Sequence, residues 1–294
     1  IMSFLMVSFV FFMLPRASVS AERIGEVLDT APTILDPAEP RAFPDGAPGR
    51  LEFRDVGFRY PGADENVLCR LSFVAEPGKT TAIIGGTGSG KSTIVQLVPR
   101  FYDVTEGAIL LDGIDIREVR QRDLRARIGY VPQRGILFSG DARSNVAFGR
   151  PDATDDEVDR ALHVAQASEF VEAHKEGTAM AISQGGVNVS GGQRQRLSIA
   201  RALAVQPDLF LFDDSFSALD FRTDAALRKA LREETASATV LVVAQRIGTI
   251  LHADRILVLD DGRLVGTGTH RELLDTCPLY REIALSQLSE EELA

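Results

Sequence analysis

Residues Gly85-Gly86-Thr87-Gly88-Ser89-Gly90-Lys91-Ser92 follow the pattern G-x-x-x-x-G-K-[ST], between a predicted strand at Thr81 to Ile84 and a predicted amphipathic helix at Ser89 to Val98. Glycines at these places let backbone N–H groups close on phosphate oxygens. Lys91 adds positive charge on the β and γ oxygens, and the Ser92 hydroxyl is a ligand for Mg²⁺. The helix that follows brings the positive end of its dipole to the same point. The stretch therefore predicts a cradle for a nucleoside triphosphate, ATP or GTP, running from Gly85 to Ser92 with Thr93 next in the helix.

The strands around the cradle read as parts of an α/β fold. Leu51, Phe53, Phe58 and Tyr60 alternate roughly, with a break near Gly57 and a turn at Pro61-Gly62. Further strands are predicted at Leu71 to Ala75, Ala108 to Leu111, Ile128 to Val131, Leu209 to Phe212, Val240 to Ala244 and Ile256 to Leu259. Several are continuous apolar runs, as parallel strands covered on both faces require. Residues 141–204 turn helical, with a glycine-rich interruption at 185–192.

Composition narrows the function. The chain has 294 residues, 45% hydrophobic and 25% charged, enough for a sizeable core. Its net charge of −10 argues against a protein that coats nucleic acid, which needs a basic face. Cys69 and Cys277 lie far apart and outside metal-ligand spacing, which suits a reducing compartment.

Ile1 to Leu14 is strongly apolar, yet shorter than the roughly 20 residues of a membrane span. A signal peptide cleaved near residues 17–21 is one reading, but no basic residue precedes the run. The expectation is that residues 1–15 are the end of the last membrane helix of a longer polypeptide, with Arg16 and Arg23 just past it on the cytoplasmic side. A buried core helix is the alternative. Residues 16–50 read as a helical extension and a Pro/Gly-rich linker, and residues 51–294 as one domain.

A phosphate cradle needs a metal-holding carboxylate on a neighbouring strand, and the apolar run Leu209 to Phe212 ends in Asp213. Upstream, Ser190-Gly191-Gly192-Gln193 precedes an apolar helix. Ser190 with Gln193 is a plain capping box, yet the two glycines also leave the helix start open to a phosphate.

Tyr60, the 85–92 cradle, Gln133, Ser190-Gly191-Gly192-Gln193, Asp213 and Ser217-Ala218-Leu219-Asp220 together resemble the nucleotide-binding domain of ABC transporters, from about Leu51 to the C-terminus. Arg100-Phe101-Tyr102-Asp103, Leu110-Leu111-Asp112-Gly113 and Gly266-Thr267-Gly268-Thr269-His270 are similar to the exporter type, in which each half-transporter joins membrane helices to one such domain. The resemblance implies an α/β P-loop (RecA-like) core with an antiparallel β subdomain and an α-helical signature subdomain. It implies ATP and Mg²⁺, with Ser92, Gln133 and Asp213 at the metal, Tyr60 stacked on adenine, and Ser190 to Gln193 clasping the ATP of a partner domain. It also implies residence in the cell membrane, with the nucleotide-binding domain on the cytoplasmic side.

Two positions depart from the family pattern. After Asp213 the family has a Glu that polarises water, and here Asp214 is one methylene shorter. The strand at Val240 to Ala244 should be followed by a switch His, and here Gln245 cannot carry a proton. His252 and His270 do not replace it by position, and Gln184 stands where exporters often have Glu. Asp214, Gln245 and Gln133 are thus the catalytic candidates, and slow hydrolysis is expected. The pattern resembles the degenerate half of a heterodimeric exporter, whose signature completes a partner's site. A homodimeric exporter and a regulatory ATP-binding module remain alternatives.

Overall fold

The computed structural model describes residues 1–288, the Phe221 side chain excepted. Residues 289–294, the end of the stretch expected as one domain, lie outside the described residues. Two compact units are present, Ile1–Leu35 and the remainder from Asp36.

The first unit is one helix, α1 (Met2–Asp29), which runs through both stretches that the sequence divides at residue 15. Pro15 lies inside it, where its ring removes one backbone hydrogen bond. None of its residues is buried, and its most apolar 18-residue window has a mean hydropathy of 1.7.

In the second unit the strands are β1 (Leu51–Phe58), β2 (Leu68–Ala75), β3 (Thr80–Gly85), β4 (Glu106–Leu111), β5 (Ile114–Asp115), β6 (Ile128–Val131), β7 (Gly140–Asp141), β8 (Ala181–Ile182), β9 (Leu209–Asp213), β10 (Thr239–Val243), β11 (Arg255–Asp260) and β12 (Arg263–Gly268). The helices after α1 are α2 (Lys91–Leu97), α3 (Gln121–Ala126), α4 (Ala142–Val146), α5 (Asp155–Val164), α6 (Ser168–Glu172), α7 (Gly191–Ala204), α8 (Phe221–Glu234), α9 (Ile247–Ile250), α10 (His270–Thr276) and α11 (Pro278–Leu285). The central sheet has the order β12-β11-β3-β10-β9-β6, parallel except for β12 at its edge. A second, antiparallel sheet has the order β2-β1-β4-β5.

Period-two alternation explains how one sheet serves two cores. Ala82, Ile84, Phe210, Phe212, Val240, Val242, Ile256 and Val258 face the core shared with α5, α7 and α8. Their chain neighbours Ile83, Leu209, Leu211, Leu241, Val243, Leu257 and Leu259 face the core shared with α2 and the antiparallel sheet. Each fully buried aliphatic side chain contributes about 1.5–3 kcal/mol. These strands must be apolar on both faces, which is why they read as unbroken runs.

The parallel register brings the strand ends level. Val243 pairs with Ile83 on one side and with Asp213 on the other. The loop after β3, the residues after β9 and the residues after β10 therefore leave the sheet at one edge, where ligands of open α/β sheets bind.

Glycines make the close approaches at this edge. A Cβ on Gly85 would lie 2.1 Å from the Leu259 carbonyl oxygen. Gly90, at φ +95°, and Gly262, at φ +69°, close on the start of β2 from two sides. A Cβ on the first would be 2.6 Å from Leu68, and one on the second 2.1 Å from the Val67 carbonyl oxygen.

Candidate active site

The helix after the cradle begins at Lys91, so Ser89 and Gly90 belong to the loop. Lys91 is 9% exposed, and its Nζ donates to the carbonyls of Gly85 (3.0 Å) and Gly86 (2.5 Å) and to Ser89 Oγ (3.4 Å). The ammonium thus holds the loop by its own backbone. Burial lowers the Lys91 pKa, while Asp214 and Asp213 oppose that shift. Gly86 and Gly88 face open space on the side where a Cβ would stand, leaving the loop's rim accessible.

Ser92 Oγ donates to Asp213 Oδ1 at 2.9 Å. Asp213 is 4% exposed, and burial, with the like charge of Asp214, raises its pKa against the Ser92 hydrogen bond and the Lys91 charge. A hydroxyl and a carboxylate one hydrogen bond apart are hard oxygen donors. Mg²⁺ usually takes one or two such protein ligands, with substrate phosphates and water filling the octahedron. The donor set therefore fits Mg²⁺ delivered with a triphosphate, and a nearby divalent cation would neutralise the buried carboxylates. Among the described residues no cluster of three His, Cys, Asp or Glu could bind a metal without phosphate.

Asp214 adopts φ +45°, and its N–H donates to the Val243 carbonyl at 2.9 Å. Its Oδ2 accepts from Gln133 Nε2 at 3.2 Å and from Gln245 Nε2 at 3.0 Å, so the three catalytic candidates meet. Burial raises its pKa, opposed by hydrogen bonds from Gln133, Ser217 and the Gln245 backbone. Gln133, expected at the metal, has its amide nitrogen on Asp214. Its loop is fixed by Gln195 of α7, 2% exposed, which accepts from Gly135 N–H (2.9 Å) and donates to the Pro132 carbonyl (3.1 Å).

The Tyr60 hydroxyl shares a hydrogen bond with Thr93 Oγ1 at 3.0 Å, and its ring meets Phe58 and Tyr102 edge to face. Tyr60, the cradle, Gln133, Asp214 and Gln245 line one cleft of about 640 Å³. Ile283, Ser286 and Gln287 also line it, a contribution the sequence reading missed because no local pattern links the C-terminus to the cradle.

Among the described residues, none of 190–193 lines this cleft. Ser190 caps α7, with Gln193 N–H to Ser190 Oγ at 3.2 Å and Ser190 N–H to Gln193 Oε1 at 2.9 Å. Gly191 is exposed at the helix start. Ser217 and Ala218 are exposed, Leu219 is buried, and Asp220 caps α8 through Thr223 N–H at 3.0 Å. His252 lies in the turn after α9, and His270 opens α10 with its Nδ1 2.7 Å from the Tyr280 hydroxyl. Gln184 begins a short 3₁₀ turn.

Fold and site together define a P-loop nucleoside-triphosphatase domain. A family model described as "ABC transporter" matches residues 68–217. An uncharacterized ABC transporter ATP-binding protein of Mycobacterium tuberculosis is 50% identical over 98% of this chain and 50% of its own length. An ATP-dependent lipid A-core flippase of Xanthomonas oryzae is 42% identical over 95% of this chain and 47% of its own. The solved structure of a bacterial Atm1-family ABC exporter with ATP bound superposes with a TM-score of 0.87 at 36% identity, over 97% of this chain and 50% of that one. The chain belongs to the ABC transporter family. It carries that family's ATP-binding, ATP-hydrolysing domain, and it spans about half the length of the curated relatives it matches.

The raised pKa of Asp213 has a consequence for stability. A carboxylate whose folded-state pKa lies above its unfolded value destabilises the fold wherever it is ionised, and the cost fades as pH falls below both values. Asp213→Asn keeps an acceptor for Ser92 and removes that charge. Without nucleotide, its Tm should exceed the parent's by about 3 °C at pH 8. Thermal melts should show this gap closing as pH falls through the carboxylate range.

Proposed function

We propose that this chain is the ATP-binding half of an ABC exporter whose own site binds ATP and turns it over slowly, while its signature helix completes the competent site of a partner half. The observation that carries the reading is the convergence of Gln133 and Gln245 on one oxygen of Asp214. Asp reaches less far than Glu, and both of its amide neighbours lack a titratable proton. A displacement of about an ångström in a water-orienting group can reduce rate about 10²-fold. The cradle residues carry no such weakness, so occupancy is retained.

In this scheme Lys91 would exchange its bonds to Gly85 and Gly86 for phosphate oxygens, and Ser92 and Asp213 would hold the metal. Bound Mg²⁺ would neutralise charge on the β and γ oxygens. Tyr60 supports the base, and the α7 dipole, opened by Gly191 and Gly192, faces a phosphate presented by the partner. Relatives named as a multidrug efflux ATP-binding/permease protein and as a lipid A-core flippase support the direction of transport proposed here. With residues 1–15 as the end of a membrane helix and 16–50 as extension and linker, the domain at 51–294 lies on the cytoplasmic side of the cell membrane.

Three measurements test this. ATP affinity and Mg²⁺-dependent turnover are compared for the parent, Asp214→Glu with Gln245→His, and Lys91→Ala. The double change should raise turnover about 10- to 100-fold with little change in affinity, while Lys91→Ala abolishes tight binding. Brisk hydrolysis by the parent would favour a homodimer of self-sufficient sites.

Replacing Ser190 with Arg should reduce turnover of the assembled transporter about tenfold or more, while ATP binding in this chain's own cleft persists. Unchanged turnover would remove the claim that this chain completes a partner's site.

The full-length protein should sediment with membranes and require detergent for extraction. Release by high salt or alkaline carbonate alone would exclude α1 as a span.

A further inference from the structure

Gln287 lies two residues beyond the end of α11 and grips the loop that carries Gln245. Its Oε1 accepts the Ile247 N–H at 2.8 Å, and its Nε2 donates to the Gln245 carbonyl at 2.9 Å. One side-chain amide thereby spans the two peptide groups flanking Arg246, as a neighbouring strand would. Ile247 opens α9, whose N-cap residue Arg246 provides no side-chain cap, so Gln287 supplies a partner for that helix start.

The other end of the same loop residue is also held. Gln245 Nε2 reaches Asp214 Oδ2, and Arg246 Nη2 donates to the Ser217 carbonyl at 3.3 Å. Residue 245 is therefore fixed by its backbone to Gln287, just past the C-terminal helix, and by its side chain to the site carboxylate. The C-terminal helix is itself anchored: Tyr280 and Ala284 are fully buried, and the Arg281 guanidinium donates to the carbonyls of Leu274 (2.6 Å) and Asp275 (3.2 Å). Ile283, Ser286 and Gln287 stand in the wall of the nucleotide cleft.

We propose that Gln287 is a positioning residue for ATP hydrolysis, setting where the side chain at 245 stands relative to Asp214 and the cradle. The proposal rests on the assignment of this cleft as the ATP site. It does not depend on whether that site is slow or fast.

The test uses full-length detergent-purified protein carrying Gln287→Ala or Gln287→Glu, in the parent and in the Asp214→Glu, Gln245→His background, where turnover is expected to be readily measured. Glu retains an acceptor for Ile247 and loses the donor to Gln245. Amide hydrogen exchange at Ile247 should accelerate about tenfold in the Ala variant and stay near the parent rate in the Glu variant, the loss of one hydrogen bond being worth about a factor of ten. In both variants kcat for ATP should change about threefold or more; in the Ala variant KM should stay within about twofold, because the phosphate cradle is untouched while the loop carrying Gln245 moves, whereas the carboxylate of the Glu variant, standing in the cleft wall, should raise KM.

Unchanged exchange at Ile247 in the Ala variant would overturn the proposal. So would faster exchange with unchanged kcat, which would reduce Gln287 to a purely structural tie. Brisk hydrolysis by the parent would sink the slow-site reading while leaving this test intact, since each variant is read as a ratio to its own background.

Discussion

Val243 of β10 has Ile83 of β3 on one side and Asp213 of β9 on the other, and this pairing decides where the chemistry can occur. Parallel strands in register end at one level, so the phosphate loop, the metal-side carboxylate and the switch loop emerge beside one another. None of the three segments could build a site alone. Ser92, at the start of α2, reaches Asp213 over a sequence separation of 121 residues because β3, which leads into α2, and β9, which ends in Asp213, flank β10 in register.

The same arrangement stores electrostatic strain. Asp213 and Asp214 are adjacent, both buried, and burial pushes both carboxyls up. Opposite them Lys91 is lowered by the same desolvation. A buried cluster with two acids and one base favours a ligand that brings both negative phosphate for the lysine and a divalent cation for the acids. The fold is less stable for holding these groups together, and that is the physical form of a functional compromise.

Much of this was legible in the sequence because it is written locally. The cradle is a contiguous motif, and β3, β9, β10 and β11 are apolar on both faces, so short unbroken runs mark them. Capping of α7 by Ser190 follows from spacing alone. β12 was missed because it is an edge strand with alternating exposure, two glycines and an arginine, and so presents no apolar run. The ladder of β7 with β8 is two residues long on each side, too short for any period to show. The anchoring of the Gln133 loop by Gln195 and of the Gln245 loop by Gln287 was also invisible. Each is a glutamine meeting peptide groups more than forty residues away in sequence or on another element, and a glutamine in a helix or at its end carries no local mark of such a partner.

The start of β2 is approached closely by Gly90 of the cradle, against the Leu68 side chain, and by Gly262 of the β11–β12 turn, whose backbone leaves no room for a methyl group beside the Val67 carbonyl. The antiparallel layer, whose first strand leads into Tyr60, is therefore packed against the loop that receives phosphate. Base-side and phosphate-side walls of the cleft thus meet at one close-packed point. A side chain at Gly262 would meet the Val67 backbone carbonyl and so shift the wall that bears Tyr60 together with the edge of the phosphate loop, a disturbance felt on both sides of the nucleotide at once.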